Sequence, residues 1–259
     1  MTEVPDFGVS LAHLLHHRSL DVEALADQAG VTADEVRAVL ADGVPGEELL
    51  RRLAVGLGFH AVDLLILAGL PVPDDMAPLD AGAERLMPCI VMDAVCLPVG
   101  SRRELLELVR SLPQEERRSS FTPKWIASVG EGPGDRVIRM LRYRNLDRMG
   151  MAKTLAVVTP TYLSAATYGL IGSGRTELTP RLLTDFAAVL GIDAYELAAL
   201  TGVFLHGAPS PPAPAALYVA TLLWEARRLS AGQAQNVAEL ARSMRRDPGN
   251  EGVATLSGT

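Results

Sequence analysis

One match within the chain limits its fold more than any other feature. Leu57-Gly58-Phe59-His60-Ala61-Val62-Asp63-Leu64-Leu65-Ile66-Leu67-Ala68-Gly69 aligns without a gap with Leu190-Gly191-Ile192-Asp193-Ala194-Tyr195-Glu196-Leu197-Ala198-Ala199-Leu200-Thr201-Gly202, at an offset of 133. Leu53-Ala54 matches Phe186-Ala187 at the same offset, and Arg18-Ser19-Leu20-Asp21 matches Arg144-Asn145-Leu146-Asp147 at an offset of 126. Self-similarity of this kind reads as two copies of one unit. The second copy carries about seven extra residues in its turns, the difference between the two offsets.

The unit is helical. In the first copy, helices are expected over 8–18, 20–30, 32–40, 47–57 and 61–67, from apolar residues at helical spacing and glycines at the stops. Thr32 caps the third, with Asp34 and Glu35 in its first turn, where the helix dipole favours carboxylates. In the second copy, Asp135 to Asn145 is the first helix. Thr159-Pro160 is one start signal for its third helix, and Ser164 is another. Ser164 is preferred, because that register aligns Tyr168 with Val36. Gly172-Ser173-Gly174 ends the helix, Thr179-Pro180 starts the next, Gly191 stops it and Asp193 caps the last. Leu182, Leu183, Phe186, Val189 and Leu190 share one face of the fourth helix. Short helices with tight turns predict a helix-turn-helix unit.

Composition agrees with helices. The chain of 259 residues is 48% hydrophobic but only 5% aromatic, and alanine, leucine and valine dominate. No apolar run approaches the ~20 residues of a membrane span, and no signal peptide is visible at the N-terminus. These absences predict a cytoplasmic protein with no membrane partner. Cys89 and Cys96 are expected as reduced core thiols. The net charge of −7 is unevenly spread. Residues 1–75 hold 4 basic and 13 acidic side chains, whereas 135–207 hold 8 and 6. The first copy would repel phosphate and the second would not.

The remaining segments link and close the two copies. Residues 71–83 are a Pro/Asp linker, and helices are expected over 84–97 and 101–112. Met87, Ile90, Val91, Ala94 and Leu97 form an apolar stripe, read as a bridging core or as a dimer seam. Residues 113–134 read as a polar linker with Trp125 as an anchor, and the last dozen residues as frayed. After a Pro-rich hinge at 207–214, helices over 217–229 and from Ser230 form a hairpin. It packs on a domain or pairs across a two-fold axis. The expected fold is all-α: two five-helix domains, 1–75 and 135–206, related by the repeat and joined by linker helices over 76–134. The hinge and hairpin occupy 207–259.

Two patterns resemble one family. They are Leu25-Ala26-x3-Gly30-Val31-Thr32-x3-Val36 with Leu53-Ala54-x2-Leu57-Gly58, and Leu163-Ser164-x3-Tyr168 with Gly174-Arg175 and Phe186-Ala187-x2-Leu190-Gly191. Both resemble the Cro/C1-type (XRE) helix-turn-helix. The whole chain is similar to two-domain XRE regulators of actinobacteria, in keeping with 22 arginines against two lysines. The resemblance implies a transcriptional regulator, a repressor acting as a homodimer on double-stranded DNA, with the third helix of a unit in the major groove.

The first copy departs from that pattern. Val22 stands where the family often has a polar residue, and Asp34 and Glu35 would face phosphates. It reads as a degenerate unit used for dimerisation or internal packing. The second copy supplies the expected DNA contacts: Arg148 and Lys153 on helix 2, Thr161, Tyr162, Ser164, Ala165 and Thr167 at the turn and start of helix 3, and Arg175 past its end. Arg136, Arg139, Arg142 and Arg144 on the first helix read as a solvated face or as phosphate contacts. The chain has no GxSxG, P-loop or HExxH pattern, so neither an enzyme nor a cofactor is expected. His13, His16 and His17 lack a carboxylate or cysteine pattern, and no metal site is expected. Two rival functions are an interaction module that does not touch DNA and a sensor with a small-molecule effector between the domains.

Overall fold

The computed structural model describes residues 5–41, 43–121 and 132–246. Trp125 and the last dozen residues lie outside them. The fold is all-helical. The first five helices are α1 (Phe7–Arg18), α2 (Val22–Ala29), α3 (Ala33–Leu40), α4 (Glu47–Leu57) and α5 (Ala61–Leu67). Short 3-10 turns at Asp74–Met76 and Ala81–Arg85 lead to α6 (Met87–Ala94) and α7 (Val99–Ser111). Then follow α8 (Pro133–Arg142), α9 (Arg148–Val158), α10 (Ala165–Gly172), α11 (Pro180–Leu190) and α12 (Ala194–Thr201). The chain closes with α13 (Pro214–Ala226) and α14 (Ala231–Arg246).

Side-chain caps set half of these starts. Asp21 accepts from the Ala24 amide at the start of α2, and Asp147 from the Gly150 amide at the start of α9. Thr32 and Glu35 close a capping box on α3, and Ser230 with Gln233 does the same for α14. Ser164, Thr179 and Asp193 cap α10, α11 and α12. The helix starts of α2 and α9 are 126 positions apart, and those of α4 and α11, and of α5 and α12, are 133 apart. α9 has 11 residues against 8 in α2, and the connection after it is also the longer, 159–164 against 30–32.

The buried apolar residues form one continuous core drawn from every segment. The Met87 stripe is part of it: α6 packs against α14, α9 and α13. The C-terminal hairpin also packs within the chain, with α13 on α11 and α7. Cys96 corrects an expectation, because it is exposed and Cys89 only half-buried. α6 ends at Ala94, which leaves Cys96 in the short connection before Pro98.

The two five-helix segments meet crosswise. α1 packs on α12, and α8 packs on α5. Arg18 donates to the Leu57 carbonyl (2.8 Å) and pairs with Glu196 across the seam (2.6 Å). Arg144 lies near the Leu190 carbonyl (3.5 Å) and forms a fully buried bidentate pair with Asp63 (2.9 and 2.7 Å). From α13, Trp224 stacks on His60 and lies under the Arg144 and Arg227 guanidiniums. The hairpin thereby clamps the seam.

Arg142 at the end of α8 and Arg144 just beyond it overturn both readings made of them. Arg142 is 1% exposed, bonds Glu84 at 2.7 Å and lies over Phe121, while Arg144 is 0% exposed. Arg139 sits 4.0 Å from Asp135, and Arg136 is half-buried. Burial pushes the Arg136 guanidinium down from its ordinary range. Arg142 and Arg144 are neither solvated nor open to phosphate; they tie this stretch to Glu84 and Asp63 of other segments.

Candidate nucleic-acid interface

The stretch from α9 through α10 to the start of α11 combines exposed cations with small side chains. Residues 148–181 hold four basic side chains, Arg148, Lys153, Arg175 and Arg181, and one acidic one, Glu177. Lys153 is exposed on α9. Arg175 is exposed just beyond Gly174, whose φ of 70° makes the turn that ends α10. Arg181 is exposed in the first turn of α11. None of these three has an acidic partner within 4.0 Å among the described residues. Arg181 was not singled out from sequence; its signal is its place directly after the Thr179-Pro180 helix start.

Arg148 is held against α10. A Cβ on Gly169 would meet its Nη1 at 3.0 Å, so the missing side chain at 169 is what lets the guanidinium lie across the helix. Tyr162 is 88% exposed in the connection before α10. The Ser164 hydroxyl accepts from the Thr167 amide and meets the Thr167 hydroxyl at 2.9 Å. Ser164 is exposed, while Ala165 and Thr167 are half-buried.

Thr161 is a correction. It is 5% exposed, and its hydroxyl donates to the Asp185 carboxylate, itself 7% exposed. A buried carboxylate needs a donor, and α11 places Asp185 under the connection where Thr161 supplies one. Thr161 therefore holds the connection onto α11 rather than facing outward. Seven of the eight expected contact residues remain at least partly exposed around α9 and α10.

The corresponding face of the first five-helix segment has the opposite charge. Residues 22–48 hold seven acidic side chains and one basic one, Arg37. Arg37 is bound by Asp34 and Glu23. The arginines of α4 are likewise engaged, Arg51 by Glu47 and Asp75, Arg52 by Glu48.

A cleft of about 910 Å³ adjoins the interface. Its lining includes Thr159 and Pro160 of the connection, Arg181, Asp185 and Tyr195, with Pro211 along one side. Comparison with protein families, with curated proteins and with solved structures found no match.

Proposed function

We propose that the protein is a DNA-binding transcriptional regulator of XRE type, acting as a repressor by occupying its site. In this reading α9 and α10 are the helix-turn-helix, and α10 with Tyr162 enters the major groove. The observation that carries the reading is the set of exposed, acid-free cations Lys153, Arg175 and Arg181 around a helix of small side chains. Phosphate contacts of this kind fix the register of such a unit. The small or hydroxyl-bearing groups of Ser164, Ala165 and Thr167 allow close approach to base edges and thymine methyls.

Retention of genomic DNA fragments across a salt series tests the proposal. Footprinted sites and affinity falling steeply with salt are expected. Lys153→Ala and Arg175→Ala should each weaken binding and make the salt slope shallower by about 1. Loss with Arg37→Ala instead would assign the wrong half. Failure to retain any fragment at low salt would favour an interaction module that leaves DNA alone.

A second reading adds a small-molecule effector. The cleft beside α11 favours it, because Asp185 both lines that cleft and holds Thr161 in the connection before α10. Thermal shifts with a metabolite panel test this, and a ligand that binds elsewhere would remove it.

A further inference from the structure

We infer that the chain is a closed pair of related halves with one DNA-reading face, so that one molecule takes one non-palindromic DNA segment. This rests on the DNA reading proposed above, and it adds the stoichiometry and the symmetry of the target.

The pairing is reciprocal. Leu57 and Leu190 occupy one position at an offset of 133, as do Asp63 and Glu196; Arg18 and Arg144 correspond at 126. Each arginine reaches the carbonyl that ends the fourth helix of its own half. Each then bonds the carboxylate on the fifth helix of the other half. α1 on α12 is answered by α8 on α5. When i meets j′ and j meets i′, the contact is the one a two-fold axis makes between identical subunits. Here both sides belong to one chain. Covalent linkage sets an effective concentration of order millimolar, which excludes a second chain from this seam at ordinary concentrations. The two-fold pairing that a homodimer would make between chains is thus made within one chain.

The faces of the two halves differ in sign. The second half presents Lys153, Arg175 and Arg181, while the same region of the first binds its own arginines with Asp34, Glu23 and Glu48. Exposed carboxylates against a phosphate backbone repel it, and cations already paired release few counterions. A two-fold pair with two readers matches an inverted repeat. A pair with one reader matches half of that.

The test combines mass with sequence selection. Light scattering should give the mass of one chain in solution and one chain per duplex. Selection from random duplexes about three helical turns long should enrich one ungapped motif without inverted symmetry. The salt slope should be about −2.7 to −3.6, for three or four phosphates, rather than twice that. Lys153→Glu combined with Arg175→Glu should abolish retention at an unchanged melting temperature, and Arg37→Glu should leave it intact. An inverted-repeat motif, two chains per duplex, or loss with Arg37→Glu overturns the inference. If no duplex is enriched, DNA reading itself fails and takes the target symmetry with it. The mass of the free protein still decides the pairing, and two chains in solution would overturn the closed pair.

Discussion

Ser19 and Asn145 are the two residues other than glycine with positive φ among the described residues, 51° and 59°, and they stand 126 positions apart. Each follows the first helix of its segment and sits beside the arginine that crosses the seam. The left-handed conformation turns the chain at once into the second helix, which Asp21 or Asp147 caps two residues later. Their surroundings differ. Ser19 is exposed, while Asn145 is fully buried and donates from Nδ2 to the Asp80 carbonyl at 3.0 Å.

That difference predicts opposite responses to glycine. Ser19→Gly removes the Cβ cost of a left-handed residue and should stabilise by about 0.5–1 kcal/mol. Asn145→Gly gives up a buried hydrogen bond as well, and should destabilise by about 1 kcal/mol. Thermal melts of the two variants decide it; the same sign for both would contradict the account.

The two seam arginines should also differ. Arg144→Ala leaves Asp63 buried without its partner, at a cost of about 3–5 kcal/mol. Arg18→Ala breaks a pair with partly exposed side chains and should cost about 1 kcal/mol. Urea denaturation measures both, and equal losses would mean that burial of the Asp63 pair carries no special weight.

Close backbone approach makes Gly8 and Gly134 sensitive. A Cβ on Gly8 would lie 2.4 Å from the Val39 carbonyl oxygen, and one on Gly134 would lie 2.5 Å from that of Ile171. Both pack the first helix of a segment against the end of its third. Alanine at either position should force the helices apart and cost about 1–3 kcal/mol. A stabilised alanine variant, as helix propensity alone would give, counts against this packing.

His60 gives the seam a pH dependence. Its imidazole is held down from the ordinary 6.5 to about 4, by burial first and then by Arg144, with Asp63 acting the other way. The unfolded chain therefore takes up a proton that the folded one refuses. This contribution to stability is full above pH 6.5 and is lost as the pH falls toward 4, by up to about 3 kcal/mol. Asp135 opposes it. Burial pushes its carboxyl up to about 6, so its contribution is full below pH 3.8 and lost as the pH rises through 6. Relative to the parent protein, His60→Phe should gain stability at pH 4.5 compared with pH 7. Urea midpoints at the two values check this, and parallel shifts would refute it.

The local signals were legible in the sequence. Thr32, Ser164, Thr179 and Asp193 were readable as helix starts because a cap is a bond to an amide two or three residues away. The burial of Arg142 and Arg144 was not, since spacing along a helix gives a charged face but not its partner. Glu84 and Asp63, more than 50 residues upstream, hold these two side chains inward. Thr161 was misplaced for the same reason: Asp185 lies 24 residues downstream, and only packing brings it under the hydroxyl. Of the candidate interface, the exposed cations Lys153 and Arg175 were legible from the excess of basic residues over 135–207. Their lack of acidic partners was visible only in three dimensions.

The crosswise seam has a consequence for how such a molecule can change. In an assembly of identical subunits, every substitution appears on both sides of the axis at once. A charge reversal that spoils one surface spoils its mate. When both sides belong to one polypeptide, each substitution is made once. Arg18, Arg144, Asp63 and Glu196 can then hold the arrangement fixed while the two outer surfaces diverge independently.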